Sequence, residues 1–518
     1  MQEVSGSIPL TSTNRVAISQ SGSPSSRGLG HHPFTVSTRV RIPVGTPRFS
    51  ICKSADRLAL SEPRSCLERS FFARRFPFRV LGSREAPILA GEIMNPGDPD
   101  SLVKLPSRAT SSTGPGAGPL AGIRVLDLTS VMLGPYATQM LADYGADVIK
   151  IESPEGDSTR ATGPALEQGM AATFIGANRG KRSIVLDLKQ ASACAALMSL
   201  IDTADVLIYS MRPQKLAALG LAPDVLRSRN KALIVVAVHG FSERGPYAGR
   251  PAYDDIIQGL CGLAALNEMQ GGAPAYLPSV VADKTCALFA TQAVLTALIA
   301  RGRDGVGTYV EVPMLECMVN FTLVEHFHAA HFRPPLGEPG YGRLLTPWRR
   351  PYQTSDGYVC LLPYTDKHWR EFFIEAGRPE LVIDPRCVDV AARTRHIDEL
   401  YALVAECVSG RTTAEWLAAC ARLDIPAAPL NRLADLENDP HLKQTGFFIN
   451  MQDPSMGSLV MPGAPLRFVG TSPASRLPPR LGEHTVEILE EAHIDRATIA
   501  GLLDSHAAIQ KVQHEVAK

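Results

Sequence analysis

From residue 119 onward the chain alternates short apolar runs with stretches of helical spacing. Residues 123–128 (IRVLDL) form a compact run rich in branched side chains, and after Gly134 and Pro135 a helical pattern continues through Gln139, Met140 and Leu141 to Asp143. Residues 147–151 supply the next run, which completes a strand, helix, strand unit. Pro135 suits a first helical turn, where its missing N–H is not needed. The pattern then repeats, with strands at 183–188, 206–209 and 233–238, a helix at about 190–203, and another after Pro213. An α/β architecture follows: an open, largely parallel, doubly wound Rossmann-like sheet with helices on both faces.

No such pattern persists before residue 118, where Ser, Arg, Pro and Gly dominate, and this stretch is not expected to build a core. Two readings fit it. Stretches such as EVSGSIPLTSTN and HPFTVSTRVRIPVGTP resemble translated transfer RNA gene sequence, which makes Met94 the expected true start of a bacterial, cytoplasmic protein. The abundance of arginine and scarcity of acidic groups over 1–93 also suit a mitochondrial transit peptide, which would direct the protein to the matrix.

Composition narrows the partners. Lysine plus arginine balances aspartate plus glutamate at 52 each, so no overall field favours nucleic acid or an anionic membrane surface. We find no run of about 18 uncharged apolar residues, the minimum for a spanning helix, and no membrane partner is expected. The ten cysteines are scattered without C-x-x-C or paired zinc spacing, as expected of reduced thiols. The turn after the first strand reads TSVMLGPYA, with one glycine where a dinucleotide fingerprint needs three. A phosphate loop and a G-x-S-x-G elbow are also missing.

Three segments carry a resemblance: LAGIRVLDLTSVMLGPYATQMLADYGADVIKIESPEGDSTR, NRGKRSIVLDLK, and HGFSERGPYAGRPAYDDIIQGLCGL. In this order, with RDGVGTYVEVPMLE at 303–316 and the closing PGAPLRF and PPRLGEHT, they resemble the class III CoA-transferases, a superfamily that includes formyl-CoA transferase, carnitine CoA-transferase and α-methylacyl-CoA racemase. The resemblance implies a large CoA-binding domain at 119–320, a linker at 321–345, a small α+β domain at 346–430, a return to the large domain at 431–505 and a tail at 506–518. It also implies a homodimer of two interlocked rings.

Moving CoA between acids needs a group that can hold an acyl group as an anhydride and CoA as a thioester, and a carboxylate does both. The family's catalytic aspartate matches Asp283, which opens the long apolar helix in SVVADKTCALFATQAVLTALIA. By itself Asp283 also reads as a helix N-cap. If both roles hold, donors at the helix start should keep its carboxylate ionised. Tyr253 and Asp254 stand beside it as supporting residues; the racemase branch has a histidine before this aspartate. Tyrosine is a poor base at neutral pH, so an α-methylacyl-CoA racemase activity is the alternative. Packing by Tyr253 and helix capping by Asp254 are the plain structural readings. For CoA the resemblance implies contacts at Val131, Met132, Leu186, Lys189, Ser210 and Met211, with added charge from Arg179, Lys181, Arg182, Arg212 and Lys215. Coenzyme A and its acyl thioesters enter as substrates rather than bound cofactors, with succinyl-CoA the expected donor and a second carboxylic acid the acceptor.

The match departs from formyl-CoA transferase at Met132 (glutamine there), Ser153 and Ala218 (arginine) and Pro251 (lysine), and it lacks the glycine-rich loop of the small domain. Formate and oxalate are therefore not expected as substrates, and Met132, with Trp348 and Tyr352 near it, would suit a larger or less polar acyl group. The lost arginines also keep open a catalytically silent CoA-binding homologue. No metal site is expected: of His326, His328 and His331, only the last two share a helix face.

Overall fold

The computed structural model describes residues 118–469 and 476–511, so the expectations for the first 117 residues lie outside the described part. A doubly wound half comes first: β1 (Arg124–Leu128), α1 (Leu133–Asp143), β2 (Asp147–Glu152), α2 (Ala172–Asn178), β3 (Arg182–Leu186), α3 (Ala191–Asp202), β4 (Val206–Tyr209), α4 (Pro213–Ala218), α5 (Pro223–Arg229) and β5 (Ile234–His239). There follow α6 (Asp254–Leu260), α7 (Leu263–Met269), the 24-residue α8 (Val281–Asp304), β6 (Tyr309–Pro313) and α9 (Met314–His326).

Six of these strands pair in parallel in the order β3-β2-β1-β4-β5-β6. Side chains alternate between two cores, as the period of a strand requires. Leu126, Ile149, Leu207 and Val235 face α3, α5 and the C-terminal helices, while Val125, Val148, Ile208 and Val236 face α1 and α8. Both faces are covered, which is why the strands read as continuous apolar runs. By length and hydropathy α8 could also cross a bilayer; here Ala282, Cys286, Ala290 and Val294 are buried in the second core.

Residues 352–429 build a separate antiparallel sheet, β7 (Tyr352–Gln353), β8 (Tyr358–Leu361) and β9 (Ala427–Pro429). Helices Asp366–Glu375, Ile397–Val408 and Thr413–Leu423 cover it around Trp369, Phe372, Tyr401 and Trp416. A hairpin, β10 (Phe448–Asp453) and β11 (Gly457–Pro462), brings Met456 onto Met170 and Phe174, and helices Thr485–Glu491 and Arg496–Asp504 return to the main sheet.

Two boundaries differ from expectation. The expected linker begins inside α9, whose buried Met318, Thr322 and His326 carry the helix past residue 320. The expected tail contributes β12 (Ala508–Ile509), which pairs antiparallel with β3, because β3 would otherwise leave an open sheet edge. So short a strand has no periodicity by which to recognise it.

Beneath the turn after β1 lies a buried set of charges. Asp127 and Lys181 are fully buried and paired at 3.0 Å, and Lys150 pairs with Asp157 at the same distance. Lys181 also donates to the Pro135 carbonyl and to Asn178, while Lys150 donates to the Thr129 carbonyl. Burial pushes the Asp127 carboxyl up, but Lys181, Lys150 and the Thr129 and Thr138 hydroxyls outweigh it and hold it at about 2. Lys181→Met would strand that carboxylate in a dry interior. A loss of about 3–5 kcal/mol is expected, read as a lower urea midpoint, with Asp127→Asn/Lys181→Met recovering part of it.

Candidate functional site

The parallel strand order reverses between β1 and β4, and ligands in such sheets bind outside the carboxyl ends of the strands at this point. A cleft of about 320 Å³ opens here. Ser130, Val131 and Met132 form one wall, and Ser210, Arg212 and Lys215, after β4, form another. The Ser210 hydroxyl accepts the Ser130 N–H at 3.3 Å and ties the two turns together. Val131 sits at φ +69°, a conformation that strains a β-branched residue by roughly 1–3 kcal/mol. Its N–H is held by the Asp157 carboxylate at 3.2 Å, which Lys150 holds in turn. Gly134 is required at the start of α1, since a Cβ there would lie 2.2 Å from the Thr129 side chain.

Tyr253 and Asp283 complete the cleft from the other side. Asp283 is the third residue of α8, not its cap; the cap position is Val280, whose side chain cannot accept a hydrogen bond. The free N–H of Asp283 donates instead to Asp254 Oδ1 at 2.9 Å, so α6 caps α8 across the fold. Asp254 is buried at the first position of α6. The Asp283 carboxyl is raised to about 7, by burial first and by the charge of Asp254 second. Helix donors were expected to keep it ionised; the shift is in the other direction because burial and the neighbouring Asp254 charge both oppose ionisation. Tyr253 is 69 % exposed, so it is not the packed tyrosine of the plain structural reading.

Other expected site residues fall elsewhere. Leu186 is buried in the core at the end of β3, two strands from β1, and its backbone pairs with β12. Lys189 is exposed beyond that strand and does not line the cleft. Met211 packs on the sheet core, and its carbonyl accepts from His239 Nε2 at 3.2 Å. Arg179, Lys181 and Arg182 are not free for phosphates: they pair with Asp143, with Asp127, and with Asp147 and Glu491. Trp348 and Tyr352 pack in the core of the smaller sheet rather than near Met132.

His326 Nδ1 accepts the Tyr341 N–H, His328 stacks on Tyr341, and His331 packs edge-on to Phe327. Tertiary structure does bring together a different set that the sequence did not suggest. Ligand atoms of His239, Glu243 and Glu311 lie within 4.8 Å of one another, from β5, the loop after it and β6. Glu311 there accepts the Glu243 N–H at 2.6 Å and the Ser242 hydroxyl at 3.2 Å, which braces the loop. Arg250 was also missed; it lines the cleft and stacks on Tyr247 at 4.6 Å. Its signal in the sequence is its place just before PAYDD.

The switch-point cleft of this Rossmann-like sheet is thus lined by the carboxylates of Asp283 and Glu243 and by three basic side chains. Residues 120–485 match CoA-transferase family III, and the chain belongs to that family. It is 33% identical over 390 residues to a succinate–glutarate CoA-transferase of Agrobacterium fabrum, covering 72% of this chain and 95% of that one. It is also 32% identical to the succinyl-CoA–L-malate CoA-transferase beta subunit of Chloroflexus aurantiacus, over 72% of this chain and 94% of the relative. The crystal structure of Rv3272 from Mycobacterium tuberculosis superposes with a TM-score of 0.63 at 30% identity, over 72% of this chain and 99% of that one. A CAIB/BAIF family protein of Brucella suis gives 0.61 at 32% identity, over 73% and 100%. The chain is thus a class III CoA-transferase.

The raised Asp283 carboxyl has a stability consequence with a definite sign. Its protonated form is favoured in the fold, so its contribution is fully present below the ordinary value of 3.8 and is lost as pH rises through about 7. Asp283→Asn should therefore match the parent near pH 4 and exceed it in Tm at pH 8. The gain is at most about 4 kcal/mol, less for the solvent that reaches the group; equal Tm differences at both pH values would contradict it.

Proposed function

We propose that this enzyme moves CoA between two carboxylic acids through a covalent aspartyl-CoA thioester on Asp283. The observation that carries the reading is a carboxylate at the wall of the switch-point cleft, its backbone fixed by Asp254, with Arg212, Lys215 and Arg250 lining the same cleft. The ionised Asp283 attacks the thioester carbonyl of the donor acyl-CoA, forming a mixed anhydride and releasing CoA thiolate. The thiolate attacks the aspartyl carbonyl, the donor acid leaves as its carboxylate, and aspartyl-CoA remains. The acceptor carboxylate then attacks that thioester, forming a new anhydride and releasing the thiolate again. Attack of the thiolate on the new acyl carbonyl frees Asp283. No proton is consumed in the cycle, and one thioester replaces another, so the overall free energy stays near zero.

Burial suits Asp283 to this cycle, since a carboxylate poorly solvated in the ground state is a stronger nucleophile than one in water. Tyr253 lines the same cleft and is read as a supporting group. The relatives named for succinate, glutarate and malate support succinyl-CoA as donor and a dicarboxylate as first acceptor to screen. The basic side chains are the groups on hand for CoA phosphates or a distal carboxylate.

The smaller sheet and its helices are read as a small domain, and two copies of the chain as an interlocked dimer. Supporting the dimer, Leu288 and Ile299 on α8 and Phe321 and Val324 on α9 are exposed apolar side chains, and the connectors to the small sheet expose Leu336 and Leu433.

Two measurements test these readings. Mass spectrometry after incubation with succinyl-CoA and hydroxylamine should find a hydroxamate on Asp283, absent from Asp283→Ala, whose turnover should fall on the order of 10⁴-fold or more. Measurable CoA binding without any adduct would favour the racemase or a silent homologue. In light scattering the parent should have the mass of two chains, and Leu288→Glu/Val324→Glu should shift it to one.

A further inference from the structure

Gln258 is the buried polar group that the proposed chemistry does not use. It lies one turn after Asp254 on α6, is fully buried, and does not line the cleft. Its side-chain nitrogen donates to Asp254 Oδ2 at 2.6 Å and to the Ser279 carbonyl at 3.3 Å. Its side-chain oxygen accepts the Leu277 N–H at 2.9 Å. Burying an amide side chain is unfavourable unless its donors and acceptor are paired, and here all its partners belong to one small frame. That frame is Asp254 together with the loop that delivers Asp283 to the start of α8.

We infer that Gln258 is a positioning residue for the reacting carboxylate, acting through Asp254. Asp254 has two tasks, accepting the Asp283 N–H through Oδ1 and presenting an acceptor oxygen rather than a hydroxyl. A donor on Oδ2 fixes the rotation of the carboxylate and leaves Oδ1 turned toward the Asp283 N–H. The second arm of Gln258 holds Leu277 and Ser279, so the loop enters α8 at one register. Without this side chain Asp254 can turn, and the N–H of Asp283 loses its cap. The inference rests on Asp283 as the reacting group.

The deciding variant is the isosteric Gln258→Glu, compared with Gln258→Leu by two independent readouts. One is hydroxamate trapping with succinyl-CoA from pH 5 to 8.5. The other is labelling of Asp283 by a water-soluble carbodiimide and an amine, followed by mass spectrometry, which needs no CoA transfer. The carboxyl introduced by Gln258→Glu still donates to Asp254 while it is protonated, whereas once ionised it sets a second charge against it. Gln258→Glu should therefore trap within about threefold of the parent at the acidic end and fall roughly 10–100-fold at the alkaline end. Its Asp283 labelling midpoint should move up by roughly one pH unit. Gln258→Leu should lose trapping at every pH, with KM for succinyl-CoA nearly unchanged and kcat reduced. A Gln258→Glu that loses the same fraction at every pH, or traps at the parent's rate throughout with an unmoved midpoint, would overturn the assignment. If the parent traps nothing while the labelling midpoint of Gln258→Glu still moves, the covalent reading falls, and Gln258 is left as the residue that fixes Asp283 through Asp254 without a part in CoA transfer.

Discussion

The turn after β1 depends on charges placed in a dry interior. Asp127 at the end of β1 is surrounded by Lys181, Thr129 and Thr138, while Lys150 below joins the Thr129 carbonyl to Asp157. Because Asp157 in turn holds the N–H of Val131, the strained turn is braced by side chains from three places in the chain. A glycine fingerprint reaches a comparable turn by having no side chain at all. Here a β-branched residue is kept at positive φ by a hydrogen bond to a carboxylate of a buried ion pair, and the backbone cannot relax without giving up that bond.

Across the cleft the same economy of buried charge appears in a different form. Asp254 satisfies a helix N–H that no local side chain can cap, and its charge, added to burial, holds the nearby Asp283 carboxyl near 7. Asp254 therefore fixes the backbone of Asp283, while burial first and the Asp254 charge second set how readily its carboxyl ionises. Burial and a like charge both oppose ionisation of this carboxyl, a common consequence of building a reactive group into a packed frame. Arg212, Lys215 and Arg250 bring opposite charge to the same cleft without touching this carboxylate pair at hydrogen-bonding distance.

Much of the fold was legible because the signals are local. Strands buried on both faces read as apolar runs, and the strand at 206–209 coincides with β4 (Val206–Tyr209). The ordered motifs gave the family, and Asp283, Tyr253, Val131, Met132 and Ser210 do share one cleft. What failed to read were partners distant in sequence. Arg179, Lys181 and Arg182 look like a solvent-facing basic cluster until Asp143, Asp127 and Asp147 close on them. β12 carries only two residues and exists because β3 offers an edge.

The sequence by itself determined the class of architecture and the family, since periodicity and ordered motifs are properties of neighbouring residues. Only the tertiary structure decided which basic groups remain free for a ligand, which helix caps which, and that Asp283 is raised rather than lowered in pKa. Charge pairing and burial are set by residues tens to hundreds of positions apart, and Coulomb interactions and desolvation depend on distance in space, which the order of residues along the chain does not contain.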